Sequence, residues 1–409
     1  MSFQLLTVLV ASAGLAMVGL TYNSLAAYFM FSTLVALLLV SYVCSRLPKR
    51  VLEFRREVAD RVFEHEPFPV VLELTNKGRV PLFLLRVCDS LPPYLTPEES
   101  PDFILPALWS GDTAGLSYRV RGVKRGVHLV GPANVTISDP FGLFPSQVPL
   151  DTGGEAVVYP RPVPLEVEAA SMGAEPRPIA SGERARGSES GLEFYGIRDY
   201  QPGDELRRIH WPATAHHGQL TVIEFDQGVS ENLSVVLDTR AGTEFGTGLE
   251  TTLELGVRAA ASLIRWTLRA EGVTLLVADS ERGPQWVEAD RLDREHETLE
   301  LLARVEADGK MPLAKVVEWA TPLLSSGAAV WVVTAAPEPS LPTVLESLRL
   351  DLMPDAVRVL ILDPGSFEAK ARLSDELVQD LEAIGVRTLV VRRADDLREA
   401  LGSVLSTGA

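Results

Sequence analysis

Before Arg46 the chain contains no Asp, Glu, Lys or Arg. That stretch holds two apolar runs, Phe3 to Leu20 and Leu25 to Cys44, separated by the polar turn Thr21-Tyr22-Asn23-Ser24. Each is close to the roughly 20 residues that a helix needs to cross a bilayer. A cleaved signal peptide fits poorly, because there is no basic leading segment and the apolar stretch is too long. The reading is a transmembrane helical hairpin over residues 1–46. Small residues in the first run, Ala11, Ser12, Gly14, Ala16 and Gly19, would allow close helix approach. Arg46, Lys49, Arg50, Arg55 and Arg56 follow the second run, and the turn carries no charge. By the positive-inside rule, both termini and everything after residue 46 are expected in the cytoplasm of a cell-membrane protein.

The remaining chain is long enough for two or three domains. The formal net charge of -17 over 409 residues argues against a general nucleic-acid binder, which needs a basic stripe to meet phosphates. The two cysteines, Cys44 and Cys88, are too few for a disulfide framework and fit a reducing compartment.

Residues 51–165 read as an antiparallel, Ig-like β-sandwich. "FPVVLELTNKG", "GLSYRVRG", "GVHLVG", "NVTISDPFG" and "EAVVYP" are short strand patterns bounded by Gly, Pro and Asn. Residues 166–190, rich in Ala, Gly, Ser, Pro and charge without periodicity, read as a linker or mobile loop. From 233 to 409, apolar runs ("LSVVLDT", "VTLLVAD", "AAVWVVTAA", "VRVLILD", "VRTLVVRR") alternate with amphipathic stretches. That alternation predicts a doubly wound α/β domain on a parallel sheet covered on both faces.

Between these parts, residues 191–232 contain a charged, aromatic box, "RDYQPGDELRRIHWPATAHHGQLTVIEFDQ". Pro202-Gly203 makes a turn, Asp204 is a good N-cap, and Leu206, Ile209 and His210 share a helical face. Pro212 discourages continuation past Trp211, and "QLTVIEF" reads as a strand feeding the α/β domain. Arg198, Asp199, Asp204, Arg207, Arg208 and Trp211 form a cluster with two readings. One is a structural clamp of the box onto the sheet; the other is a docking patch, since Trp and Arg are over-represented in binding hot spots. Arg198, Asp204, Arg207, Arg208 and Trp211 are the candidate partner-binding residues.

"GLEFYGIRDYQPGDELRRIHWPATAHHGQLTVIEF" resembles the signature of the domain of unknown function 58 family, and "RGVHLVGPANVTISDPFGLF" resembles the strand motif of that family's β-domain. The family pattern has Lys where Pro212 stands and Ala-Arg where His216-His217 stand. The resemblance implies two membrane helices, a β-domain and a C-terminal von Willebrand factor A-like domain. It also implies a partner, an AAA+ ATPase of MoxR type, and an adaptor role in assembly or maturation of envelope or enzyme complexes.

A metal-dependent adhesion site of an A-type domain uses Asp-x-Ser-x-Ser after the first strand, then a Thr and an Asp on later loops. Here the run is Asp238-Thr239-Arg240-Ala241-Gly242, and "TAAPEP" offers Thr334 without a neighbouring Asp. Asp238 and Thr334 therefore mark a degenerate site with no bound metal expected, and Asp238 and Arg240 are expected to pair at the strand end. His210, His216 and His217 lack Cys companions and simple helical spacing, so a zinc site is not expected either. No Gly-x-Ser-x-Gly elbow and no Walker-type loop occurs. Ser188 and Ser190, near Glu189, are the weak remainder of a hydrolase reading. The expectation is a non-enzymatic adaptor without a cofactor. The alternative is a metal-dependent ligand-binding A-domain.

Overall fold

A computed structural model describes residues 3–46, 51–150, 153–165, 193–199, 214, 221–226, 232–325, 328–351 and 356–406. The chain divides into two compact units, one comprising Met1–Arg161 with Leu299–Arg304, the other Pro162–Thr298 with Val305–Ala409.

The first unit begins with helices α1 (Phe3–Tyr22) and α2 (Leu25–Arg46). Both contain windows long and apolar enough to cross a membrane, Leu5–Tyr22 and Leu25–Val43. Gly19 lets them approach: a Cβ there would lie 3.2 Å from the Tyr28 ring. Gly14, expected to do the same, has nothing within 4 Å of that position.

Eleven strands follow among the described residues of this unit. They are β1 (Leu52–Val58), β2 (Arg61–Phe63), β3 (Pro67–Asn76), β4 (Leu82–Asp89), β5 (Leu95–Pro97), β6 (Asp102–Leu108), β7 (Thr113–Gly122), β8 (Gly126–Val130), β9 (Ala133–Ser138), β10 (Ser146–Leu150) and β11 (Gly154–Tyr159). Two four-stranded sheets, ordered β1-β3-β7-β5 and β10-β9-β4-β6, share one apolar core. Alternation along β3 places Phe68, Val70, Leu72 and Leu74 inside, where they meet Leu85 and Val87 of β4 and Val135 and Ile137 of β9. The result is sandwich-like. It is not wholly antiparallel, because β11 pairs in parallel with β2 within a third, three-stranded sheet.

One polar group is built into this core. Inward register on β1 turns Arg56 towards Asp89, and their side chains are only 1% and 0% exposed. The Asp89 carboxylate accepts a hydrogen bond from Arg56 Nη2 and another from the Tyr118 hydroxyl at 2.7 Å. Arg56 Nη1 donates to the Val130 carbonyl at 2.9 Å. Gly131 has φ +115, and a Cβ there would collide with the Arg56 guanidinium. Burial, then the hydrogen bond to Asp89, pushes the Tyr118 phenol above its ordinary pKa, so it stays a donor. Arg56, read from sequence as part of the basic flank of the second apolar run, is thus a core residue and contributes no charge to that flank.

In the second unit, β12 (Glu193–Asp199) and β13 (Thr221–Asp226) form a separate antiparallel hairpin with a register shift between Phe194 and Gly196. The "QLTVIEF" strand therefore pairs with β12 and does not join the large sheet. The other strands are β14 (Leu233–Leu237), the two-residue β15 (Gly246–Thr247) and β16 (Glu250–Thr251), β17 (Thr274–Ala278), β18 (Gln285–Ala289), β19 (Ala329–Thr334), β20 (Val357–Leu362) and β21 (Arg387–Val391). The helices after α2 are α3 (Thr252–Arg269), α4 (Glu295–Arg304), whose residues Leu299–Arg304 fall in the first unit, α5 (Leu313–Ala320), α6 (Leu341–Asp351), α7 (Asp375–Ala383) and α8 (Leu397–Ser406).

The six-stranded sheet runs β18-β17-β14-β19-β20-β21. Every pairing is parallel except β17 with β18 at the edge. The β14 and β17 side chains are buried throughout, as strands covered on both faces require. Helix α3 lies close against the sheet because Gly256 has no side chain; a Cβ there would meet Leu362, Val333 and Leu237 at 3.1–3.4 Å. The expected parallel α/β sheet is present, with the added antiparallel edge β18.

Removing one partner from the buried Arg56–Asp89 pair leaves an uncompensated charge in the core, which costs about 3–5 kcal/mol. Asp89→Ala is expected to destabilise the first unit by that amount in denaturation of the solubilised full chain. Asp102→Ala, which removes the solvent-exposed pair with Arg86, is expected to leave the midpoint unchanged.

Candidate functional site

In an open α/β sheet, the loops leaving adjacent parallel strands part to opposite faces where the strand order reverses, and a crevice opens at the carboxyl ends. Here that point lies between β14 and β19, since β14 connects onward to β17 on one side while β19 starts the run on the other. The residues at those ends are Asp238 and Thr334. The first turn of α3 faces the same crevice, with Thr252, Leu253 and Gly256 in its lining. Thr251 caps that helix by accepting a hydrogen bond from the Glu254 backbone N–H at 3.2 Å.

Asp238 is saturated by its neighbours. Its Oδ1 accepts from Arg240 Nε at 2.8 Å and from the Arg240 backbone N–H at 3.2 Å. Its Oδ2 accepts from Arg240 Nη2 at 2.7 Å and from the Thr334 hydroxyl at 2.6 Å. This is a two-pronged guanidinium–carboxylate pair, the strong form of such a contact. The Asp238 side chain is 1% exposed. Arg240 reaches further, donating to the Ala336 carbonyl at 2.6 Å and lying 3.4 Å from Glu338 Oε2. The hydrogen bond to Asp238 raises the Arg240 pKa above its ordinary value, against the opposing effect of burial, and the charges of Asp238 and Glu338 add to it. One guanidinium thus ties the loop after β14 to the loop after β19.

A second acid stands at the end of the neighbouring strand. Asp279 follows β17 and is 3% exposed. Its Oδ2 accepts the Met311 backbone N–H at 2.7 Å, while its Oδ1 has no hydrogen-bond partner among the described residues. Thr239 donates its hydroxyl to the Asp279 carbonyl at 2.7 Å. Gly309 bridges to the Asp238 loop through paired backbone bonds with Thr239 and Ala241, and a Cβ there would press on Asp279 at 3.0 Å.

The structure brings Asp238, Arg240 and Thr334 together as one group. Of the proposed docking residues, Arg198 lies in β12, with its backbone paired across to Val222. Asp204, Arg207, Arg208 and Trp211 lie outside the described residues, as do His210, His216 and His217, the 166–190 segment and Ser188 to Ser190. Two acids escaped the sequence reading. Glu338 sits inside "TAAPEP", four residues after Thr334, where an A-type metal site would carry an Asp. Asp279 closes "VTLLVAD", and its position at a strand's carboxyl end was the available signal.

The crevice lined by Asp238, Thr243, Glu244, Thr252 and Thr334 holds about 10 Å³, the space of one water. No nucleophile–base pair is assembled there, because Thr334 donates its hydroxyl to a carboxylate that Arg240 already neutralises. A divalent cation needs several oxygen ligands. Asp238 has both oxygens engaged by Arg240, and Arg240 and Gly242 supply no side-chain oxygen in place of serines. The donor set does not fit a cation.

The family model described as "Protein of unknown function DUF58" matches residues 196–312. The match includes Asp238, Arg240, Asp279 and Gly309 and stops short of Thr334 and Glu338. The chain is 23% identical over 223 residues to the uncharacterized protein YeaD of Bacillus subtilis (strain 168). The alignment takes in 53% of this chain and 55% of that relative, so the chain spans little more than half the length of the curated relative it matches. Among solved structures, the CARDB domain of PF1109 from Pyrococcus furiosus is 12% identical with a TM-score of 0.19, over 26% of this chain and 93% of that one. A chain of the human seminal-plasma complex of zinc 2-glycoprotein and prolactin inducible protein is 9% identical with a TM-score of 0.21, over 28% and 96%. The architecture rests on the sheets described above, not on likenesses this slight.

Because Arg240 neutralises a buried carboxylate, Arg240→Ala is expected to destabilise the α/β unit by about 3–5 kcal/mol. The double variant Asp238→Ala, Arg240→Ala is expected to lose less than the sum of the two single changes, by about 0.5–3 kcal/mol. Chemical denaturation with hydrogen exchange read on β14 and β19 measures both. Strict additivity would mean that the two side chains are not coupled.

Proposed function

We propose, for a chain that belongs to the DUF58 family through residues 196–312, a membrane-anchored protein that works by binding other proteins and carries out no catalysis itself. The observation that carries this reading is the narrow switch-point crevice, whose acid Asp238 has both oxygens engaged by Arg240. A crevice of one-water size with a neutralised acid offers a substrate no foothold, so recognition falls to the outer surface.

The α/β unit is read as a degenerate von Willebrand factor A-like domain. Its strand order, its antiparallel edge and the placement of Asp238 and Thr334 at the ends of neighbouring strands support that reading. The alternative is an A-domain that binds its ligand through a metal. It would require Arg240 to leave Asp238 and an oxygen ligand to replace it, and Gly242 supplies none.

α1 and α2 are read as the anchor, spanning the membrane with both termini and the following domains in the cytoplasm. Arg46, Lys49, Arg50 and Arg55 support this orientation even without Arg56. Arg198, Asp204, Arg207, Arg208 and Trp211 are the proposed docking face. The resemblance to the family supplies the partner class, an AAA+ ATPase of MoxR type, with the chain acting as its adaptor in assembly or maturation of envelope or enzyme complexes.

A reporter fused after Ala409 is expected to read cytoplasmic; an external reading would overturn the anchor orientation and the ATPase partner together. Affinity capture of the full chain from solubilised membranes, followed by mass spectrometry, is expected to enrich an AAA+ ATPase. Arg207→Ala with Arg208→Ala should reduce that capture while keeping stability within about 0.5 kcal/mol of wild type. Full-strength capture by a normally folded double variant would remove these arginines from the docking face.

A further inference from the structure

Seven residues between β9 and β10, Asp139-Pro140-Phe141-Gly142-Leu143-Phe144-Pro145, combine three features. The turn is held by its own first side chain. Asp139 is 1% exposed, its Oδ2 accepts the Phe141 N–H at 3.0 Å, and its Oδ1 accepts the Phe144 N–H at 2.8 Å. Gly142 takes φ +69 and donates its N–H to the Asp139 carbonyl at 2.9 Å. Leu143, 5% exposed, fastens the turn to its own domain, while Phe141 is left 56% exposed. No charged residue occurs from Pro140 to Leu150.

The third feature is the neighbour. The Phe144 ring packs edge-on against Tyr42, with centroids 5.7 Å apart and planes at 79°. Tyr42 lies one residue before the end of the apolar window Leu25–Val43 in α2. A window of that length spans about 30 Å, the thickness of the hydrocarbon core, and its terminal aromatic belongs at the headgroup level. A ring in contact with Tyr42 is held at that same depth, and Phe141 stands three residues away on a turn that is already ordered.

We propose that the Asp139–Pro145 turn is a lipid contact of the β-domain, inserting Phe141 into the interface of the bilayer that α1 and α2 cross. The inference rests on the reading of those helices as membrane-spanning. An exposed phenylalanine on an uncharged turn gains by leaving water, and because the turn is preformed, insertion requires no further ordering of the chain. The turn then fixes the β-domain to the membrane surface at a second point beyond the helix end.

The test uses the full chain with Cys44→Ser and Cys88→Ser, reconstituted in vesicles of phosphatidylethanolamine and phosphatidylglycerol. Nitroxide labels are placed singly at Phe141→Cys, at Ala36→Cys within α2, and at Leu129→Cys on β8, which is 68% exposed. Electron paramagnetic resonance then compares the access of oxygen, which favours lipid, with that of a water-soluble nickel chelate. The oxygen-to-nickel ratio at Phe141 is expected to fall between those of Ala36 and Leu129. A ratio equal to that of Leu129, with Ala36 reading lipid, overturns the lipid contact and leaves the anchor standing. A water-like ratio at Ala36 overturns both. Exclusion of both reagents from Phe141 would mean a protein surface covers it, which also overturns the proposal. If Phe141→Cys disturbs folding, Pro145→Cys, exposed in the same turn, carries the same comparison.

Discussion

The guanidinium of Arg240 on the carboxylate of Asp238 is the contact on which the α/β unit's functional end depends. A parallel sheet with a reversal in strand order opens a crevice there by topology alone. What occupies that crevice decides what the domain can do. In this chain the acid at its edge is held by a side chain from two residues further along the same loop. The pair satisfies the buried acid and reaches Ala336 and Glu338 on the loop after β19, and the crevice lined by Asp238 and Thr334 has room for little more than a water. The positive charge that faces Asp238 is part of the chain itself. One guanidinium thereby links the loop after β14 to the loop after β19.

A comparable device operates in the β-domain. Arg56 and Asp89 are both fully buried, and Tyr118, Val130 and the side-chain-free Gly131 complete their surroundings. Each buried ion is offset by hydrogen bonds as well as by its partner, the condition under which such a pair persists in a core. Each unit therefore contains a charged knot that joins strands distant in sequence, while its main cluster of buried hydrophobic residues is largely aliphatic.

How much of this was legible in the sequence varies with the range of the interaction. The two apolar helices and the buried strands of the α/β sheet follow from uninterrupted local runs, and they appear where those runs are. The edge strand β18 was missed because its residues are mostly exposed and carry no apolar run. β12 was missed for a related reason: its pairing with β13 is a relation across some 20 intervening residues, not a local pattern. Arg56 looked like a membrane-flanking cation, since only Asp89, 33 residues away, reveals its inward register. At the candidate site, Asp238, Arg240 and Thr334 were readable because each sits at or just after a strand end. Glu338 is not legible from the loop sequence because its role comes from reaching the Arg240 guanidinium across the fold, and Asp279 is not legible because its partner Met311 lies 32 residues away.

With both Asp238 oxygens engaged by Arg240, the site is expected to be closed to cations. Titration of the solubilised full chain with Mn²⁺, following the free-ion signal by electron paramagnetic resonance, addresses it most directly. Wild type and Asp238→Ala are expected to remove the same small amount of Mn²⁺ from solution. Stoichiometric binding by wild type that disappears in Asp238→Ala would contradict it.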